Sequence, residues 1–279
     1  MAVAIVLAGG SGSRMNSDVA KQYMHINGKE VIFYSLSTFQ KNEHITDIVL
    51  VARNEDLEYC RKEIVNKYGF DKVRRIVSGG TERYDSVYQG LLAVKDIFMA
   101  DTTHLSAGNS KSDNLKNGEQ VCANDNSKNG EQVCVDDNQV VLIHDGARPF
   151  VTNEMINSSI ACAVQTGACT VGVPVKDTIK IVDENMNGIE TPDRKHLYQI
   201  QTPQTFEYKL IMTAYEKMYP EQNAAHTCEK AGITDDTMLV ELYTGIKSKV
   251  ILGSYENIKI TTPEDINIAE ILSKNFLKI

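Results

Sequence analysis

The sequence predicts an α/β domain built on a largely parallel sheet, and three observations carry that expectation. Short apolar runs alternate with segments of helical period. A glycine-rich turn follows the first apolar run, and a second run, at residues 140–143, ends directly in His144-Asp145-Gly146. The chain has 279 residues with 42% hydrophobic content, enough to bury a large core without disulfides or metals.

Val3 to Ala8 is the first expected strand, an unbroken apolar run of the kind buried on both faces. Ile32, Leu36 and Phe39 then recur at helical spacing. Ile45 to Val51 gives a second strand and Val73 to Val77 a short third one. After Gly79-Gly80 a helix carries Val87, Leu91, Val94 and Phe98 as one apolar stripe. Val140 to Ile143 is the next strand. Pro174 to Lys180 and Pro192 to Leu197 flank an alternating segment with an Asn187-Gly188 turn, which predicts a hairpin outside the β/α order, an arm. Near the end, Thr262-Pro263-Glu264-Asp265 reads as an N-cap, a proline at N1 and an acid at N3. The helix they open is expected to place Ile268, Ile271 and Leu272 on one face.

Residues 101–139 break the pattern. They hold seven asparagines and a tandem repeat in which Lys116 to Asn126 recurs at Lys128 to Asn138 with nine of eleven positions identical. Two units cannot bury a solenoid core, so the stretch is expected to be a surface insertion, disordered or a loose hairpin, in an otherwise single domain of 240 residues. A redox or metal pair at Cys122 and Cys134 is the sharper alternative, but no histidine or cysteine cluster accompanies them.

Charge and cysteine usage narrow the partners. With 29 Lys+Arg against 37 Asp+Glu the formal charge is −8, and no basic block is present, which argues against nucleic acid or an anionic membrane as the main partner. The N-terminus has no basic leader and its apolar run is too short to span a bilayer. Six cysteines without a C-x-x-C pair read as reduced thiols of a cytoplasmic protein.

Four segments can carry chemistry. The first is Ala8-Gly9-Gly10-Ser11-Gly12-Ser13-Arg14 with Lys21 beyond it: glycines at a strand end bring backbone N–H groups to phosphates, and two cations stand where a triphosphate would lie. An ordinary turn with two solvated cations fits equally well. The loop is no dinucleotide fingerprint, because position 15 is Met, and the second strand ends at Ala52-Arg53 without the acid that holds a ribose; nor is it a Walker A loop. The second is His144 to Pro149, where Asp145 could hold Mg²⁺ at the carboxyl edge of the sheet or simply pair with Arg148; His144 reads as a packed histidine rather than a base. The third is Gly79 to Ser86 at a helix start, an anion or base-edge site or a bare cap. The fourth places Lys259 on a strand before the last helix, where a lone lysine is commonly a solvated charge.

Together the glycine loop, GGTERYDSV, HDGARPF, VPVKDTIK, DRKHLYQIQTPQTF, TDDTMLVE and NIKITTPED resemble, in order and across nearly the whole chain, the 2-C-methyl-D-erythritol 4-phosphate cytidylyltransferase family. That resemblance implies a Rossmann-like, glycosyltransferase-A-like nucleotidyltransferase fold with a mixed, mostly parallel sheet, CTP and a polyol phosphate as substrates, Mg²⁺, and a homodimer joined by an arm at about Val173 to His196. It also implies residue roles. Arg14 and Lys21 would neutralise the triphosphate, Lys259 would hold the α-phosphate and Asp145 would carry Mg²⁺. Gly80, Arg83 and Ser86, with the backbone of Ala8, Gly9 and Gly10, would hold the cytidine. Arg194, acting across the dimer, would grip the acceptor phosphate beside Thr178 and Thr202. Ala8-Gly9-Gly10 and His196-Leu197-Tyr198-Gln199 instead look like the sister family of ribitol-5-phosphate cytidylyltransferases, which makes ribitol phosphate the alternative acceptor. A nucleotide-binding protein without turnover is the non-enzymatic alternative, and none of the five charged positions it would have lost is missing.

Overall fold

The computed structural model describes residues 1–10, 19–106, 139–219 and 232–276. Strand β1 (Ala2–Ala8) is followed by a small hairpin, β2 (His25–Ile26) and β3 (Lys29–Glu30), closed by Asn27 and Gly28 at positive φ. Asn-Gly is the residue pair such a tight turn requires. Then come α1 (Val31–Lys41), β4 (Ile45–Ala52), α2 (Leu57–Tyr59) running into a π-helical turn, β5 (Val73–Ser78), α3 (Arg83–Ser106) and β6 (Val140–Asp145). The second half holds α4 (Asn153–Thr166), β7 (Ala168–Pro174), β8 (Ile181–Val182), β9 (Gly188–Glu190), β10 (Tyr198–Glu207), α5 (Tyr208–Met218), α6 (Asp236–Thr244), β11 (Lys249–Leu252) and α7 (Pro263–Phe276).

Seven strands form one sheet in the order β11-β7-β10-β6-β1-β4-β5. β10 runs antiparallel to both neighbours and the remaining pairs are parallel, the mixed, mostly parallel sheet that was expected. Alternate residues of β1 feed two cores. Ala4, Val6 and Ala8 pack with Leu36 and Phe39 of α1 and Ile156 of α4. Val3 and Ile5 pack with Leu91 and Val94 of α3 and Ile211 of α5. Burial on both faces is why these strands read as unbroken apolar runs.

Three expectations need correction. First, α3 continues to Ser106, so residues 101–106 are helix rather than insertion; no glycine or proline interrupts the chain between Phe98 and Gly108. The rest of the insertion, with its repeat, lies outside the described residues up to Gln139. Second, α7 starts as expected, with the Asp265 carboxylate accepting from the N–H groups of Thr261 and Thr262, both at 2.8 Å. Its buried face differs: Ile268 and Ile271 are 49% and 66% exposed, while Ala269 and Ser273 are buried and Leu272 packs against the same cluster as Ala269. The small side chains let the helix approach the β2–β3 hairpin, where Asn27 donates to Ser273 Oγ. Third, the arm hairpin exists, but its turn sits at Asp183–Asn187: Asp183 and Asn187 exchange bonds and Met186, not Gly188, takes positive φ. The aspartate side chain templates this wider turn and leaves Gly188 to open β9.

Among the described residues no helix is long and apolar enough to cross a membrane. Cys60, Cys162 and Cys169 are free thiols, and burial pushes the Cys60 thiol up to about 11. Cys122, Cys134 and Cys228 lie outside the described residues.

Candidate active site

The strand order reverses direction at β1, which pairs with β4 on one side and β6 on the other. Ligands of open α/β sheets collect at the carboxyl edge of such a switch point. There Leu7 lies in register with Asp145, and a cleft of about 320 Å³ opens above them, lined by Gly9, Gly10, Lys21, Arg83, Ser86 and Lys259 among others.

Each wall has a local cause. On the β1 side the buried Gln22 amide donates to the carbonyl of Ala8, which fastens the helical turn carrying Lys21 beside the glycine loop. Lys21 then runs past Gly10, and a methyl built on Gly10 would sit 3.7 Å from Lys21 Cε. Gly9 likewise has room for a methyl, whose nearest neighbour would be Ser86 Oγ at 3.7 Å. Glycine at position 9 is therefore not sterically required, and the Gly-Gly form of this loop does not by itself mark a different acceptor. On the β5 side the glycines are required: a methyl on Gly79 would meet Ser86 Oγ at 2.6 Å, and one on Gly80 would collide with Asp85. Gly80 N–H donates to Ser86 Oγ and Glu82 N–H to Asp85, so Ser86 and Asp85 shape the start of α3 and point its positive end at the cleft.

The floor is a single carboxylate among three cations. Lys259 Nζ lies 2.8 Å from Asp145, Arg83 Nε 3.5 Å and Arg148 Nε 3.9 Å. Burial alone would raise the Asp145 carboxyl, but Arg83, Lys259 and Arg148 overcome it and hold the group well below the usual carboxylate range. Burial would likewise lower the Arg83 guanidinium, and Asp236 with Asp145 keeps it firmly charged. Ile260 N–H donates to the carbonyl of Ala147, tying the Lys259 segment to the Asp145 loop. Beneath them His144 is wholly buried and its imidazolium is disfavoured, burial pulling it down to about 4. Its Nε2–H donates to the carbonyl of Arg148, its Nδ1 accepts from Thr202, and Thr202 Oγ1 in turn accepts from the N–H of Asp145. A neutral histidine spent on this chain holds Asp145 in place, as a packed histidine does, and has no free nitrogen for base chemistry.

A second pocket of about 330 Å³ shares Arg83, Asp145 and Lys259 with the cleft and extends toward Arg148, Gln201 and Thr202. Two binding spaces thus meet at Asp145 and Lys259, an arrangement suited to joining two substrates.

The fold therefore gathers Gly9, Gly10, Lys21, Gly80, Arg83, Ser86, Asp145 and Lys259 around one cleft, with Thr202 beside it and Ala8 buried at the end of β1 next to Gly9. Arg14 lies outside the described residues. Arg194 and Thr178 stand apart on the exposed arm and are not among the cleft residues; Arg194 donates to the carbonyl of Lys176 at 3.2 Å. Sequence reasoning missed Gln22 and Asp236, while the pairing of Asp145 with Arg148 that it offered is present at 3.9 Å. Gln22 has no sequence signal beyond its place beside Lys21, and Asp236 lies too far along the chain to be tied to Arg83 before folding.

The carboxylates lining the cleft are Asp145 and Glu82, and among the described residues no three His, Cys, Asp or Glu side chains converge on a cation position. One or two carboxylate oxygens completed by substrate phosphates is the donor set Mg²⁺ takes, so these residues fit that ion.

Residues 2–107 and 110–275 match the family model described as IspD, 2-C-methyl-D-erythritol 4-phosphate cytidylyltransferase. The chain is similar to the enzyme of that name from Lachnospira eligens, 43% identical over 274 residues that cover 98% of this chain and 100% of the relative. The Alkaliphilus oremlandii enzyme of the same name is 40% identical over 270 residues, 97% of this chain and 94% of the relative. Among solved structures, the 4-diphosphocytidyl-2C-methyl-D-erythritol synthase of Anaerococcus prevotii superposes with a TM-score of 0.69 at 32% identity, covering 98% of this chain and 96% of that one. The chain belongs to the 2-C-methyl-D-erythritol 4-phosphate cytidylyltransferase family.

Proposed function

We propose that the protein transfers CMP from CTP to 2-C-methyl-D-erythritol 4-phosphate, releasing pyrophosphate and giving the 4-diphosphocytidyl product, in isoprenoid precursor synthesis in the cytoplasm. The observation that carries this reading is the meeting of two pockets at Asp145 and Lys259. The glycine-side cleft takes the nucleotide: the backbone of Ala8, Gly9 and Gly10 and the α3 start at Gly80, Arg83 and Ser86 hold the cytidine, while Arg14 and Lys21 face the triphosphate. The adjoining pocket takes the acceptor. An oxygen of the acceptor phosphate attacks the α-phosphorus, the bond to pyrophosphate breaks, and its electron pair leaves with pyrophosphate. No covalent enzyme intermediate is required, so catalysis rests on placing positive charge before the reaction begins. Lys259 meets the charge developing at the α-phosphate, and Asp145 holds Mg²⁺, which supplies charge neutralisation of the triphosphate. Thr202 serves the acceptor side through the backbone N–H of Asp145.

Arg194 and Thr178 act from a second subunit. Ile179, Ile181, Met186 and Ile189 leave an exposed apolar surface on the arm, which supports pairing of arms in a homodimer. The Gly-Gly loop favours neither acceptor, since position 9 has room for alanine, and the methylerythritol name of the two relatives above supports that acceptor over ribitol phosphate. The test is pyrophosphate release by the purified protein with CTP and Mg²⁺, offered 2-C-methyl-D-erythritol 4-phosphate and ribitol 5-phosphate in parallel. Release with the first alone is expected; release with the second alone, or with neither, overturns the reading.

A further inference from the structure

A divalent cation at Asp145 competes with three cationic side chains, Lys259 and Arg148 on Oδ2 and Arg83 on Oδ1. Of the three, Arg83 has a built alternative. Its Nη1 lies 2.8 Å from Asp236, nearer than its Nε is to Asp145 at 3.5 Å. Asp236 is 1% exposed, and a polar side chain at that depth needs fixed partners. It has them: Tyr215 donates to Asp236 Oδ1 at 2.7 Å, and the N–H of Asp236 donates to Gln204 Oε1 at 3.0 Å. Gln204 Nε2 reaches back to Asp235, whose carboxylate caps α6 through the N–H of Met238. The start of α6 is thereby pinned to β10, and the carboxylate of Asp236 is aimed at the guanidinium. This arrangement lies behind the cleft, with Asp236 absent from the cleft lining.

We propose that Asp236 is a positioning residue for the cation site: it holds Arg83 as a standing counter-ion, so that Asp145 Oδ1, the oxygen that Lys259 and Arg148 do not face, is left for a divalent metal when the nucleotide arrives. The inference rests on the cytidylyl-transfer reading above for its metal, and it concerns only residues of this chain. Without the carboxylate at 236, the whole charge of Arg83 falls on Asp145 and competes with the metal. A glutamate keeps the charge but carries it one methylene too far for the fixed partners.

The experiment is a titration of Mn²⁺ in the presence of CTP and absence of acceptor, followed by the spin signal of unbound Mn²⁺, so it does not depend on turnover. Asp145→Asn should abolish tight binding. Asp236→Asn and Asp236→Glu should each raise the Mn²⁺ midpoint by about tenfold or more, the usual cost of losing a partner that orients a metal ligand. Tyr215→Phe, which removes only the phenol that steadies Asp236, should raise it about threefold, and it keeps the proposal testable if the aspartate variants do not fold. A wild-type midpoint in Asp236→Glu would reduce Asp236 to a mere charge and overturn its positioning role. Wild-type midpoints in all three variants, or in Asp145→Asn, would overturn it as well. Loss of pyrophosphate release in the wild type with Mn²⁺ binding intact would instead sink the proposed reaction and leave this inference standing.

Discussion

The cleft at β1 and β6 and the arm formed by β8 and β9 are built by opposite logic. Around Asp145 several polar groups take partners from distant parts of the chain, His144 from Thr202, Arg83 from Asp236 and Ala147 from Ile260. On the arm the bonds are local, Asp183 with Asn187 and Lys180 with Thr191, and apolar side chains face outward. The cleft is organised before any ligand arrives. The arm has a defined turn but an apolar surface that one chain leaves uncovered. On the proposed reading, nucleotide chemistry is prepared within a subunit, whereas the arm would contribute from a second one.

Substitutions that break this contrast should rank by how much of the prepared charge they remove. Asp145→Asn comes first, with an expected loss of about 10³-fold in kcat measured as pyrophosphate release. It should also destabilise the protein at neutral pH, since three cations lose their common partner. Because the folded carboxyl sits below its unfolded value, its stabilisation is present above about pH 4 and fades as the pH falls further, so wild-type and variant melting temperatures should converge in acid. Lys259→Ala and Lys21→Ala come next, each lowering kcat by about 10²-fold with the melting temperature nearly unchanged. Turnover within a few-fold of wild type in either would remove that lysine from the reaction.

Arg194→Ala should act on the other side of the comparison. It is expected to raise the KM for the acceptor about tenfold, the worth of one charged hydrogen bond to phosphate, while the KM for CTP stays put. A change in the CTP constant instead would move Arg194 to the nucleotide. The smallest effect belongs to Gly9→Ala, where a methyl finds ordinary contact at 3.7 Å; kcat/KM should stay within about twofold of wild type.

The parts legible in the sequence were those with a period or a fixed chemistry. β1, β4 and β6 show as apolar runs because both their faces are covered, and α3 shows through a stripe that is buried at Val87, Leu91, Val94 and Phe98. The start of α7 shows because Thr262, Pro263 and Asp265 each suit one position of a helix N-terminus. Its buried face did not, because small residues at 269 and 273 carry little hydrophobic signal yet allow the closest approach. The arm's turn was misplaced because Asp183 closes a wider loop through its side chain than Asn187-Gly188 would alone. In the site, glycine and charge at strand ends drew attention to Lys21, Asp145 and Lys259. Asp236 sits in TDDTMLVE, a segment whose resemblance assigns it no task, and only folding brings it against Arg83.

The claim that one active site draws its cleft from one subunit and Arg194 from another is tested most directly by purified mixed dimers. Each dimer would join one Lys21→Ala chain to one Arg194→Ala chain, isolated with two different tags and assayed at an acceptor concentration well below the variant KM. The account predicts weak activity in either parent dimer and about half of wild-type activity in the mixed one, because one of its two sites then has both residues intact. Activity in the mixed dimer no higher than the mean of the two parents would contradict it.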